Sequence, residues 1–186
     1  MRSKSAHNII ISPIGDVTPD LLGPISKEIK RIYGYPTEVL SLLDDIEFAF
    51  HPNRNQYHST PILEQLAQKA PAGAIKVLAL VEVDLFIPIL THVYGEAQLG
   101  GTACIVSTVR LNEGHSYLSM QEPFLSRIVK EAVHELGHTF QLRHCREHTC
   151  LMHYCRNESD VDRKSDQLCR YCKVLLDDEI KRMQKL

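Results

Sequence analysis

The chain has 186 residues, enough for one domain with a real core. Its formal net charge of -2 leaves no basic footprint, which argues against nucleic acid as the main partner. Apolar residues make up an ordinary 44%, but Trp is absent, so the core must be mainly aliphatic.

The first predicted element is a buried strand over Asn8 to Ile14, rich in Ile and closed by Pro13 and Gly15. Met1 to Ala6 before it is polar and charged, and Ile9 to Ile11 is too short for the core of a signal peptide. The chain is therefore expected in the cytoplasm. Thr18 to Tyr33 reads as a helix, with Thr18 as cap, Pro19 at the first helical position and Gly34 after its end. Pro24 lies inside that span and points to a regular helix that starts there. Two extended pieces follow, Thr37 to Ser41 and Ile46 to Phe50, and His51 to Thr60 is polar and loop-like. Ser59, Thr60 and Pro61 start a second helix that runs to about Lys69, where Pro71 and Gly73 stop it.

Ala74 to Val83 is a continuous aliphatic run suited to the centre of a sheet. The longest apolar stretch, Val77 to Leu90, is interrupted by Glu82 and Asp84, so it reads as a strand and its exit and not as a membrane span. A Gly-containing connection, Tyr94 to Gly101, leads to an alternating strand over Thr102 to Leu111. A long helix is expected from about Pro123. Beyond His144 little periodicity remains until a short helix from about Asp177. Strands alternating with helices give an α/β sheet over the first two thirds.

The long helix carries His134-Glu135-Leu136-Gly137-His138. Residues four apart share a helix face, so both imidazoles can hold one Zn²⁺, and Glu135 beside the first can reach a water on that metal. Leu125, Val129, Ala132, Leu136 and Phe140 form an apolar stripe, widened by Ile128 and Val133, about 200° from the histidine face. His144 could join the same zinc only if the helix stops near Phe140 to Arg143 and the chain turns back.

His134-Glu135-x-x-His138-x-x-Gln141-x-x-His144 resembles the metzincin signature. Its continuation through Cys145, Cys150, Met152 and Cys169-x-x-Cys172 resembles the archaemetzincin family in particular. The resemblance is strong over Tyr94 to Cys172 and extends through Val83 to Pro88 to most of the chain. It implies a compact, single-domain metzincin-like α/β fold, with a mixed twisted sheet packed on the active-site helix. It also implies a catalytic zinc on His134, His138 and His144 with Glu135 as general base, and a second, structural zinc. Residues 1–143 would form an upper part ending in that helix, and residues 144–186 a small irregular lower part. Two departures stand out. The gap between Met152 and Cys169 is one residue short of the family pattern. Position 141 is Gln where the pattern has Gly; a turn needing φ > 0 there costs about 1–2 kcal/mol. Zinc binding, worth roughly 10 kcal/mol or more in small peptides, can offset that.

Five of the six cysteines lie between positions 145 and 172, and in a cytoplasmic protein such clusters bind metal more often than they form disulfides. Cys145, Cys150, Cys169 and Cys172 would close a tetrahedral zinc with no open position. Arg146, Arg170 and Lys173 stand beside them to offset the negative thiolates. Cys155, His148 and His153 compete for ligand roles, and Cys104 reads as a core residue. Met152 would lie beneath the zinc site as in metzincins. Tyr154 is either an oxyanion partner, as in some metzincins, or an ordinary half-buried tyrosine. By the family parallel the strand Thr102 to Leu111 would be the edge that binds extended substrate, with His115 and Tyr117 lining the cleft. The chemistry expected is peptide hydrolysis by a monomer with two Zn²⁺ and a peptide or protein substrate, with neither nucleic acid nor membrane as partner. A zinc hydrolase of non-peptide substrates and a non-catalytic zinc-binding interaction module are the competing readings.

Overall fold

The structure is a computed structural model and describes residues 7–112 and 122–185. Its centre is a five-stranded mixed sheet built from β1 (Asn8–Ile14), β2 (Thr37–Val39), β5 (Ala74–Val81), β7 (Gly95–Ala97) and β8 (Ala103–Ser107). The order is β2-β1-β5-β8-β7; all neighbours are parallel except β7, which runs antiparallel along β8. A second sheet of β3 (Phe50–His51), β4 (Gln56–His58) and β6 (Leu85–Phe86) pairs β3 with β4 antiparallel and β4 with β6 parallel.

The aliphatic runs of β1 and β5 are continuous because both faces of the sheet are covered. Ile9, Ile11, Leu78, Leu80, Cys104 and Val106 pack on one side with α1 (Leu22–Tyr33) and α3 (Glu122–Thr139). Ile10, Val77, Ala79, Val81 and Ile105 pack on the other with α2 (Ser59–Lys69). Leu151, Met152 and Leu176 from the chain's last part join the first of these cores. Two further helices, α4 (Glu158–Arg163) and α5 (Arg170–Met183), complete the mixed α/β domain. Among the described residues no helix is long and apolar enough to cross a membrane.

Local chemistry explains where elements depart from expectation. The helix expected from Thr18 begins as a 3-10 turn at Pro19–Leu21, so Pro24 falls in the first turn of α1, where its missing N–H leaves no bond unmade. Of Ile46 to Phe50 only Phe50 is in a strand: Glu47–Ala49 is a 3-10 turn. The loop expected over His51 to Thr60 contains β4, and the connection over Tyr94 to Gly101 contains β7. The strand expected over Thr102 to Leu111 is shorter, and it is not an edge, because β7 covers it. The last helix starts at Arg170 and not near Asp177. The Cys169 thiol caps it by accepting the Cys172 N–H at 3.5 Å, and Cys172, Leu176, Ile180 and Met183 form its inward stripe.

Candidate metal centres and catalytic cleft

The site begins with the end of α3. Leu142 N–H donates to Gly137 C=O at 3.1 Å and Gln141 N–H to His138 C=O at 3.0 Å. These two bonds form a Schellman C-cap, whose first residue beyond the helix must be left-handed. That residue is Gln141, with φ of 66°. Lys76 reaches across from β5 and its ammonium donates to Thr139 C=O at 2.8 Å and Gly101 C=O at 2.7 Å. Gly100 N–H takes His138 C=O at 2.9 Å. The Gln141 amide fills the space beside Gly100, where an added Cβ would sit 2.1 Å from Nε2. The helix end is thus closed by partners from β5 and from the β7–β8 connection, and the chain reverses direction there.

The reversal brings His144 back to His134 and His138. One ring nitrogen from each lies within 4.8 Å of those of the other two. His134 and His138 approach to 3.1 Å between their Nε2 atoms. His134 Nδ1 faces Leu151 C=O at 2.9 Å and His138 Nδ1 faces Leu142 C=O at 2.7 Å. A carbonyl only accepts, so both Nδ1 atoms carry the proton and both Nε2 lone pairs turn toward the common point. Burial, reinforced by the nearby Lys164 cation, pushes His134 well below the usual imidazole range. Burial also lowers His138, to about 4, and His144. Neutral imidazoles with converging lone pairs are a fitting donor set for zinc.

Glu135 is 8% exposed and lies between α3 and β7. Its Cγ would be 2.7 Å from a Cβ at Gly95, so the absence of a side chain there makes its place. Burial, with Glu131 next, pushes its carboxyl well above the usual range. A cavity of about 360 Å³ opens in front, lined by His134, Glu135, His138, His144, Gly95 and Tyr154. Tyr154 is 46% exposed, and its ring centroid stands 5.0 Å from that of His144. Met152 is fully buried beneath α3, where a Cβ at Gly137 would meet its Sδ at 2.6 Å. His115 and Tyr117 lie outside the described residues.

Cys145, Cys150, Cys169 and Cys172 bring four thiols within 4.8 Å of one another, a second set that fits a metal ion. Backbone N–H groups already point at two of them: Cys169 N–H at Cys150 Sγ, 3.3 Å, and Cys172 N–H at Cys169 Sγ, 3.5 Å. The two sets are linked, because Cys145 follows His144 and its N–H donates to Met152 C=O at 2.8 Å. Arg146 and Arg170 border this centre as expected, joined by Arg143. Lys173 instead lies 3.7 Å from Asp177. Cys155, His148 and His153 fall outside both sets. Cys155 is half-buried with its thiol pushed up to about 11 by burial, and His148 Nδ1 sits 3.3 Å from His153 Nε2. Cys104 is a core residue.

Sequence reasoning missed one buried pair. Lys164 is fully buried, with Nζ 2.6 Å from Glu131 Oε1 and 3.4 Å from His134 Nδ1. It sits in the run Asp-Arg-Lys-Ser-Asp, which looks like a solvated loop and carries no signal of burial. The edge beside the cleft is β7, so the strand placed there by family parallel, now β8, is one strand too deep.

The model of peptidase family M54 matches residues 27–178. An archaemetzincin of Methanocaldococcus jannaschii is 34% identical over 171 residues, covering 91% of this chain and 93% of the relative. One of Halobacterium salinarum is 36% identical over 166 residues, covering 87% and 95%. The crystal structure of the Methanopyrus kandleri archaemetzincin superposes with a TM-score of 0.80 at 30% identity, over 98% of this chain and 100% of that one. The Archaeoglobus fulgidus archaemetzincin complexed with malonate gives a TM-score of 0.75 at 32% identity, covering 90% and 99%.

Proposed function

The chain belongs to peptidase family M54 and is a zinc metallopeptidase, and on that premise we propose that His134, His138 and His144 hold the catalytic zinc while Glu135 is the general base of peptide-bond hydrolysis. When bound, zinc supplies a Lewis acid that acidifies water and polarises a carbonyl. Glu135 takes the proton from the attacking water and delivers it to the leaving amine. Glu135 suits that shuttle by position: it follows His134 on α3 and borders the same cavity as the three histidines. The Tyr154 hydroxyl is the protein donor assigned to the developing oxyanion, from the wall next to His144.

Substrate lies along β7. Among the described residues its outer edge has no strand partner in the sheet, so an extended peptide can add to it by backbone hydrogen bonds. The peptide bond is then held between β7 and the histidines of α3. The four cysteines hold a structural zinc, and this centre anchors His144 through its neighbour Cys145.

The observation that carries the reading is the chain reversal at Gln141. It puts His144 beside the Nε2 atoms of two histidines on the preceding helix and leaves their fourth side open to the cavity. Glu135→Gln tests the reading. Zinc content should stay the same, and turnover of a peptide substrate should fall by about 10²- to 10⁴-fold. A near-normal rate would remove Glu135 from the reaction.

A further inference from the structure

Past Tyr154 the cleft opens into a second basin of about 610 Å³, whose wall carries His148, His153, Arg156, Asp160 and Arg163. Tyr154 and Arg156 border both cavities. The basin's carboxylate is already engaged. Asp160 accepts the Arg156 backbone N–H at 2.9 Å and pairs with the Arg163 guanidinium. In return the Asn157 side chain accepts the Asp160 N–H at 3.0 Å, a reciprocal cap at the start of α4. That cap fixes the backbone of Arg156 and neutralises Arg163, but leaves the exposed Arg156 guanidinium without an ion pair or hydrogen bond among the described residues.

None of the three carboxylates that line the cleft, Glu96, Glu131 and Glu135, pairs with this guanidinium among the described residues. Glu96 accepts hydrogen bonds from the Ser59 and Thr60 hydroxyls, and Glu131 is paired with the fully buried Lys164. The two basin histidines are held in place, His153 Nδ1 by Cys145 C=O at 3.0 Å and His148 by its contact with His153. The rim carried by the segment before β7 is formed by Ile87, Leu90, Thr91, His92, Val93 and Tyr94 and brings no carboxylate. Among the described residues, one lip of the cleft therefore presents a positioned cation with no direct partner.

We propose that this basin is a substrate subsite for an acidic side chain, with Arg156 as the specificity-determining residue. The inference rests on the peptide-substrate reading above and adds a substrate class to it: peptides with Asp or Glu close to the scissile bond. A guanidinium suits a carboxylate through two parallel N–H donors, and near a half-enclosed cleft the pair is less screened than on open surface.

The test is a set of otherwise identical peptides in which Glu, Gln or Lys is walked through the positions flanking the scissile bond. Each is assayed on the zinc-loaded wild-type chain and on Arg156→Glu. At one position the wild type should prefer Glu over Lys by about tenfold in kcat/KM, with Gln between and the ratio shrinking as salt rises. Arg156→Glu should reverse that order, with zinc content and melting temperature as checks on its folding. The same peptides are titrated onto zinc-loaded Glu135→Gln, where the order of Kd should match. Absence of turnover for every peptide would count against the peptidase reading, while the order of Kd still decides the subsite. A flat profile in wild type, or a Glu preference that survives in Arg156→Glu, overturns the proposal.

Discussion

Residues with no side chain shape this site as much as the three histidines do. Gly95, Gly100 and Gly137 each stand where another group has moved into the space of the missing Cβ: Glu135, the Gln141 amide and the Met152 sulfur. At Gly95 an added methyl would lie 2.6 Å from the backbone oxygen of Ile105 and 2.7 Å from Glu135 Cγ. The oxygen belongs to the β7–β8 ladder and cannot yield, so the carboxylate must. Gly95→Ala should therefore keep zinc and lose about ten- to a hundredfold in kcat/KM, since small misplacements of a reacting group cost that much. An unchanged rate would mean that Glu135 has room to spare. The grouping of the three histidines proposed as ligands was legible in sequence because ligand chemistry dictates spacing: four residues apart on one helix face, then a reversal before His144. The three glycines were not, because nothing in a sequence says which distant atom fills the space beside a glycine. Gln141 is the informative case. It adopts the left-handed turn that the pattern reserves for glycine, held there by a complete C-cap and by the room at Gly100.

At the scale of elements, α3 behaves as a core helix and not as an amphipathic one. From Arg127 to Gly137 every residue except Lys130 is buried, including Arg127 and Glu131. The apolar stripe was readable, but the coverage of its polar face was not, because that cover comes from the chain after His144. Lys164 supplies the key contact, pinning the segment after α4 to Glu131. Lys164→Met leaves a carboxylate buried alone, which costs about 3–5 kcal/mol. Urea denaturation should show that loss, and adding Glu131→Leu should recover most of it. A single-variant loss under about 1 kcal/mol would mean that water reaches Glu131 and the pair is not structural. Two short elements escaped the sequence for different reasons. The Gly-Glu-Ala of β7 is too brief to show alternation, and its strand character comes from pairing with β8. The start of α5 was hidden because Cys169 and Cys172 were counted as ligands, whereas they are also the cap and first inward residue of a helix.

Across the whole molecule, the two proposed zinc sites differ in what depends on them. The histidine site has three protein donors and faces a cavity, so a chelator can reach it. The cysteine site has four donors, and Cys150 and Cys172 share a core with Leu151, Met152 and Leu176, which continues to the sheet through α3. Removing the first ion takes away chemistry; removing the second takes away the support of a core segment that has little regular structure of its own. Metal analysis should therefore find two zincs per chain. A brief, mild chelation should strip one of them and abolish peptide hydrolysis with little change in circular dichroism, and added zinc should restore the rate. The second should leave only with denaturant or a thiol-reactive agent, and melting should accompany its loss. A chain that binds a single zinc, or one that unfolds as its activity disappears under mild chelation, would break this division between a reactive and a supporting metal.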